Sequence, residues 1–123
     1  MAKLVFLTSL ILASFNNLEA HELNPARLTL DEVEANSFEV VWRFPSNVLT
    51  KPGSVVYPSN CKETVNSLPK IEGKYQVTTS RLICELDLRN QELVVKGLSR
   101  MTDALISIQF FDGGQFEGLV SVN

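Results

Sequence analysis

The longest run of β-forming residues after the first twenty positions lies near the C-terminus, between Ala104 and Phe111. Apolar residues occur on both of its faces, one of which holds Ile106, Ile108 and Phe110 and the other Leu105, Ser107, Gln109 and Phe111. The pattern predicts a central strand that is covered on at least one side. A turn signal, Asp112-Gly113-Gly114, separates it from a last predicted strand at Gln115–Val122.

Similar alternation recurs earlier in the chain. Ala26–Glu32 and Phe38–Phe44 each place apolar residues at every second position, and a short polar turn joins them. These two segments are therefore predicted to pair as an antiparallel hairpin. Further extended segments are predicted at Val55–Tyr57, Lys62–Thr64 (strand or turn), Lys74–Leu86 and Glu92–Lys96. A change of apolar phase near Thr79-Ser80 predicts a bulge or bend there.

About seven short strands, with frequent turns and no amphipathic helix, indicate an all-β domain. The predicted architecture is an immunoglobulin-like antiparallel two-sheet sandwich with one disulfide, and a small barrel is the alternative. Trp42 is the predicted anchor of the core.

The first twenty residues have the layout of a secretory signal peptide. Lys3 precedes the apolar run Leu4–Ala13, and the segment ends on Ala20, after which cleavage is predicted. An uncleaved anchor is the alternative, but ten apolar residues are too few for a hydrocarbon core of about 30 Å. The predicted organisation is thus a signal peptide at 1–20 and a β-sandwich domain at 21–123, of 123 − 20 = 103 residues. This places the domain in the periplasm or at the extracytoplasmic face of the inner membrane.

Cys61 and Cys84 are the two cysteines, and both lie in the exported part. An even number of cysteines in an oxidising compartment predicts one disulfide. A thiolate metal pair is the alternative, although the cysteines lack CxxC spacing and a nearby histidine.

Charge and motif content argue against several classes of function. The net charge is −3 and the basic residues form no stripe, so nucleic acid is not an expected partner. The chain has one histidine and no GxSxG, P-loop, HExxH or dinucleotide fingerprint, so we predict no enzyme and identify no small-molecule substrate. Its carboxylates at strand ends and turns are interpreted as solvated.

Two features near the ends of the predicted domain carry candidate chemistry. Cleavage after Ala20 would make His21 the N-terminal residue, whose α-amino group and imidazole can chelate Cu²⁺ or Ni²⁺, with Glu22 adding an oxygen ligand. The alternative is that His21 is a tolerated polar residue beside a cleavage site.

Asp103 and the Asp112-Gly113 turn are interpreted as structural. Three aromatic residues near that turn are interpreted as core, with an exposed docking edge as the alternative: Phe110, Phe111 and Phe116.

The order of several segments resembles the exported N-terminal region in one branch of the HupE/UreJ family. The likeness begins at His21–Leu30 (HELNPARLTL), continues through Phe38–Pro45 (FEVVWRFP) and includes the cysteine pair. Gly97-Leu98, Thr102–Ile106 and Asp112-Gly113 are similar to that family's "GL…TDVLV…DG" pattern. The resemblance covers essentially residues 21–118.

The resemblance implies an extracytoplasmic β-rich domain that precedes a bundle of membrane helices. The family takes its name from hydrogenase and urease accessory proteins associated with nickel. The sequence stops at Asn123, before any such helices, and is interpreted as a fragment or a stand-alone version. The expected function is a non-enzymatic domain of a membrane accessory or transport system that contacts a membrane protein or membrane domain. The alternatives are a small periplasmic Cu- or Ni-binding protein using His21, and a generic assembly or adhesion module.

The metal hypothesis predicts that the chain beginning at His21 binds Cu²⁺ and that His21→Ala abolishes this binding, because the substitution removes the imidazole of the chelate. Isothermal titration of both proteins with Cu²⁺ and Ni²⁺ measures the difference. Equal affinity in the two proteins would contradict the hypothesis.

Overall fold

A computed structural model describes residues 24–46, 52–98 and 102–121, and these ranges contain nine strands and no helix. The strands are β1 Ala26–Glu34, β2 Ser37–Pro45, β3 Ser54–Val56, β4 Cys61–Val65, β5 Lys70–Glu72, β6 Tyr75–Cys84, β7 Val94–Lys96, β8 Ala104–Gln109 and β9 Gln115–Val120. The predicted all-β class with two sheets and one disulfide is confirmed. Nothing in the described ranges is helical and apolar enough to cross a membrane. The predicted signal peptide lies outside them.

The sheets differ in size. Seven strands form the main sheet in the order β4-β6-β2-β1-β8-β9, with β5 pairing with β6 beside β4. A second sheet consists of β3 and β7 alone. All strand pairs are antiparallel, as predicted, except β1 with β8, which is parallel. A parallel pair needs a long crossover connection, and the chain from β2 to β7 provides it.

The core lies on the face of the main sheet that points towards β3 and β7. Even-numbered residues of neighbouring strands lie side by side there, because the register pairs Leu28 with Trp42 and Ile106. The buried cluster consists of Leu28, Leu30, Phe38, Val40, Leu82, Cys84, Leu88, Ile106, Ile108 and Phe110. Val55 of β3 and Val95 of β7 pack against it, so the small sheet covers part of this face.

Trp42 joins the two sheets. Its indole Nε1 donates a hydrogen bond of 3.0 Å to the carbonyl oxygen of Gly53, just before β3. Gly53 has no room for a side chain, since a Cβ would lie 2.7 Å from the carbonyl oxygen of Lys96. Trp42 itself is half-buried, whereas Phe38 and Phe44 are among the largest fully buried side chains. The predicted anchor therefore works as a link between layers as well as a core residue.

One local prediction differs from the structure. The predicted bulge near Thr79-Ser80 is wrong, because β6 pairs with β2 in unbroken register from Tyr75 to Ile83. The change of apolar phase arises because Val77 is buried on one face of the sheet and Leu82 on the other. The register shift instead falls between Glu32 and Glu34 of β1, next to the first turn.

The disulfide between Cys61 and Cys84 is present. The two cysteines are directly opposite each other on β4 and β6. Cys84 of β6 belongs to the buried core, whereas β4 is exposed apart from the half-buried Cys61. The bond therefore attaches an exposed edge strand to the core.

Reduction of this disulfide is predicted to destabilise the domain without changing its fold. The bond closes a loop across 23 positions, and the chain-entropy model gives about 3 kcal/mol for such a loop, or about 10–20 °C in Tm. Calorimetry and far-UV circular dichroism, with and without a phosphine reductant, measure both quantities. The double variant Cys61→Ser/Cys84→Ser is the control and should not respond to the reductant. An unchanged Tm in the reduced wild-type protein would contradict the prediction.

Candidate binding groove

An apolar groove of about 620 Å³ lies on the inner face of β8 and β9. Its volume is within the range of ligand-binding clefts. The groove exists because β3 and β7 have three residues each, too few to cover a sheet whose longest strand has ten. The sheet side is lined by Ile106, Ile108, Phe110, Phe116 and Val120, and the opposite wall is formed by residues 88–91 together with Leu93.

Arg89 fixes this wall to the β8–β9 hairpin. Its guanidinium lies 4.1 Å from the ring centroid of Phe110. Nη2 donates to both carboxylate oxygens of Asp112 at 2.7 Å, and Nη1 donates to Asp87 at 3.2 Å. The carboxylate of Asp112 also accepts the backbone N–H of Gly114 at 2.9 Å. The predicted Asp112-Gly113 turn is thus structural, and Asp112 also fixes Arg89 at the entrance of the groove.

The electrostatics of this pair follow from these contacts. The N–H of Gly114, followed by the guanidinium of Arg89, holds the pKa of Asp112 below its ordinary value. The hydrogen bond to Asp112 raises the pKa of Arg89. Both side chains therefore stay charged around neutral pH. The positive charge of Arg89 at the entrance of the groove is already paired with the carboxylate of Asp112.

The three aromatic residues near the turn divide between core and surface. Phe110 is buried, as interpreted from the sequence, but Phe116 is 50% exposed and Phe111 67% exposed. Phe116 lines the groove, whereas Phe111 does not. The ring of Phe116 lies over Gly118, where an added Cβ would be 3.0 Å from the ring. The absence of a side chain at Gly118 therefore lets this ring lie along β9.

A smaller cavity of about 190 Å³ lies between the sheets, beside Trp42 and Tyr57. The hydroxyl of Ser80 donates to Glu63 Oε2 at 2.6 Å across this cavity. Burial, and then the charge of Glu63, raise the pKa of the Tyr57 hydroxyl. A serine and a carboxylate meet here, and the chain's single histidine, His21, lies outside the described residues.

The remaining candidate residues from the sequence are His21, Glu22 and Asp103. His21 and Glu22 lie outside the described residues, so the Cu²⁺ or Ni²⁺ site stays a prediction. Within residues 24–46, 52–98 and 102–121, no group of three or more His, Cys, Asp or Glu side chains could hold a metal ion. Asp103 immediately precedes β8, and its backbone carbonyl accepts the N–H of Ala26 at 2.7 Å.

Sequence reasoning missed Arg89 and the wall that it fixes. The segment Leu86–Gln91 shows no alternation, and Asp112, the partner of Arg89, lies 23 positions further along the chain. The only local signal was the Asp87–Arg89 spacing, which gives a turn whose carboxylate accepts the Arg89 N–H at 2.9 Å. That signal predicts a turn and does not indicate its distant partner.

No family model, curated protein or solved structure matches this chain. Its fold and groove define an all-β, disulfide-bonded domain with an apolar groove beside an edge hairpin. Membership of the HupE/UreJ family stays a prediction.

The Arg89–Asp112 contact predicts a pH dependence of stability. Because the pKa of Asp112 is lowered in the folded protein, its stabilising effect is complete above its ordinary pKa and disappears as the pH falls through the lowered value. The Tm of the wild-type protein should therefore fall more steeply between about pH 5 and about pH 2 than that of Asp112→Asn. Calorimetry across this range measures the two slopes.

Asp31→Asn, at an exposed aspartate in β1, is the matched control and should retain the steep wild-type slope. Parallel curves for wild type and Asp112→Asn would contradict the prediction. Added salt should reduce the difference, because the pair is exposed and therefore screened.

Proposed function

We propose that this chain is a non-enzymatic, exported binding domain whose apolar groove receives a segment of a membrane protein. The observation that carries the proposal is the groove itself, with apolar lining from Ile106 to Val120 and a half-exposed aromatic ring at Phe116. Exposed apolar surface of this kind is typical of sites that bind another protein. The expected context is the extracytoplasmic side of a membrane accessory or transport system, in accordance with the HupE/UreJ resemblance.

The disulfide supports the exported location, because such bonds form and persist in oxidising compartments. The groove supports binding over catalysis. Its lining is mainly apolar, and Arg89, its charged side chain, is already engaged by Asp87 and Asp112. A surface with this composition provides apolar contact area and no group poised for proton transfer.

A single aromatic substitution tests the proposal. Phe116→Ala removes the exposed ring from the groove and should weaken binding of the membrane partner by about tenfold or more, as loss of an aromatic anchor does in other interfaces. Phe111→Ala is the matched control, since Phe111 is equally aromatic, exposed and close in sequence but does not line the groove. Neither substitution removes a buried side chain, so both variants should fold.

The partner is found by photo-crosslinking. A benzophenone amino acid is placed at position 116 or at position 111, and the protein is irradiated with membranes of the producing organism. The expected result is a membrane protein crosslinked at position 116 and not at 111, whose purified form binds wild type and Phe111→Ala but only weakly Phe116→Ala. Crosslinking at neither position, or equally at both, would contradict the proposed function.

A further inference from the structure

β9 ends the main sheet and has one open side. In the hairpin, the N–H of Phe110 donates to the carbonyl oxygen of Gly114 at 2.7 Å. Hydrogen-bonded and non-bonded pairs alternate along an antiparallel ladder, so the even-numbered residues of β9 bond to β8. The N–H and C=O groups of three residues therefore point away from the sheet: Gln115, Glu117 and Leu119. Among the described strands, none pairs with this side of β9.

The two edges of the main sheet have different side chains. The opposite edge, β4 and β5, carries four charged residues, Lys62, Glu63, Lys70 and Glu72, and the disulfide attaches it to the core. Charges of this kind are how proteins prevent an edge from pairing with another chain. β9 carries one charge, Glu117, and no proline, and its Phe116 and Leu119 are 50% and 62% exposed. The β9 edge therefore lacks the protection that the other edge has.

The open edge and the groove adjoin each other. Phe116 and Val120 of β9 line the groove, while the odd-numbered residues between them present free backbone groups. A strand added beside β9 would place every second side chain on the groove side of the sheet. Backbone hydrogen bonds and apolar side-chain contacts would then act together in a single binding mode.

Glu117 indicates the charge of the added strand. It is exposed at the centre of β9, and among the described residues it has no salt-bridge or hydrogen-bond partner. A second copy of β9 cannot neutralise it, because Gln115–Val120 contains no basic residue. Pairing of two β9 strands centred on Glu117 would even place the two carboxylates opposite each other, which is unfavourable.

We propose that β9 receives an extended segment of the partner protein by β-strand addition, with a lysine or arginine opposite Glu117 and apolar residues on either side of it. The basic side chain lies on the same face as Glu117, and its two apolar neighbours face the groove. This inference rests on the proposed protein-binding function and specifies the partner segment and its backbone pairing.

A capped synthetic peptide, Thr-Val-Lys-Val-Thr-Val-Thr, tests the pairing by NMR titration or calorimetry against the full chain. With the peptide antiparallel to β9 and its lysine opposite Glu117, the N–H groups of lysine and threonine face β9 and those of valine face solvent. N-methylation of the lysine and the central threonine should weaken binding by about tenfold or more, since it removes two hydrogen bonds. N-methylation of the two valines flanking the lysine is the matched control and should leave the affinity within about twofold.

Protein variants test the same contacts from the other side. The N–H of Leu119 faces away from β8, so Leu119→Pro removes a donor for the added strand without removing a bond within the sheet. It should weaken peptide binding more than Leu119→Ala, which loses the side chain alone. Glu117→Lys should weaken binding of the lysine peptide and restore binding of a peptide with glutamate at that position. The N-methylated peptides keep the test decisive if Leu119→Pro does not fold.

Three results would overturn the inference. The first is equal loss of affinity for both N-methylated peptides, and the second is absence of peptide binding altogether. The third is a stable dimer in sedimentation equilibrium that Leu119→Pro dissociates, in which case the edge is occupied by a second copy. If crosslinking at position 116 still identifies a membrane partner in any of these cases, the proposed function stands and only strand addition is wrong. If crosslinking also fails, both are wrong.

Discussion

The parallel pairing of β1 with β8 is the constraint on which the rest of the domain depends. It joins the N-terminal hairpin to the C-terminal hairpin and aligns Leu28 with Ile106 and Leu30 with Ile108, so that one apolar face runs across both. Glu32 secures the same end of the sheet by accepting the N–H groups of Asn36 at 2.7 Å and Phe111 at 2.9 Å. A slip of one residue would turn the apolar side chains of β8 away from the core.

The groove and the open edge are both consequences of this pairing. One side of β1 is occupied by β2, so β8 takes the other side and β9 becomes the last strand. The inner face of β8 and β9 then extends beyond the reach of the short strands β3 and β7. The 88–93 segment closes the far side of this space, since Arg89 is held by Asp112 of the same hairpin. The surface proposed for binding therefore arises from the topology, with no separate element built for it.

The sequence predicts the local features well and the distant ones poorly. Alternation identified β1, β2, β8 and β9, because a strand with one buried face repeats every two residues, and the even number of cysteines predicted the disulfide. It missed β5, whose three residues are all exposed and carry no such signal. It also placed Phe116 in the core and gave Arg89 no role, because both depend on which strand lies at the edge and which loop covers it. The bulge predicted in β6 was wrong for a related reason, since Val77 is covered on the face opposite to Leu82.

The contrast between the two edges connects stability with the proposed binding. The β4 edge is charged, exposed and covalently attached, so it is protected whether or not a partner is present. The β9 edge has Gly118 where a side chain would otherwise fill the face, and the ring of Phe116 lies so close that a Cβ added at Gly118 would be 3.0 Å from it. An exposed apolar edge with one central carboxylate is a liability for a domain that works alone. In the proposed binding mode, a strand with a basic residue opposite Glu117 covers this edge, while the disulfide attaches the far edge to the core.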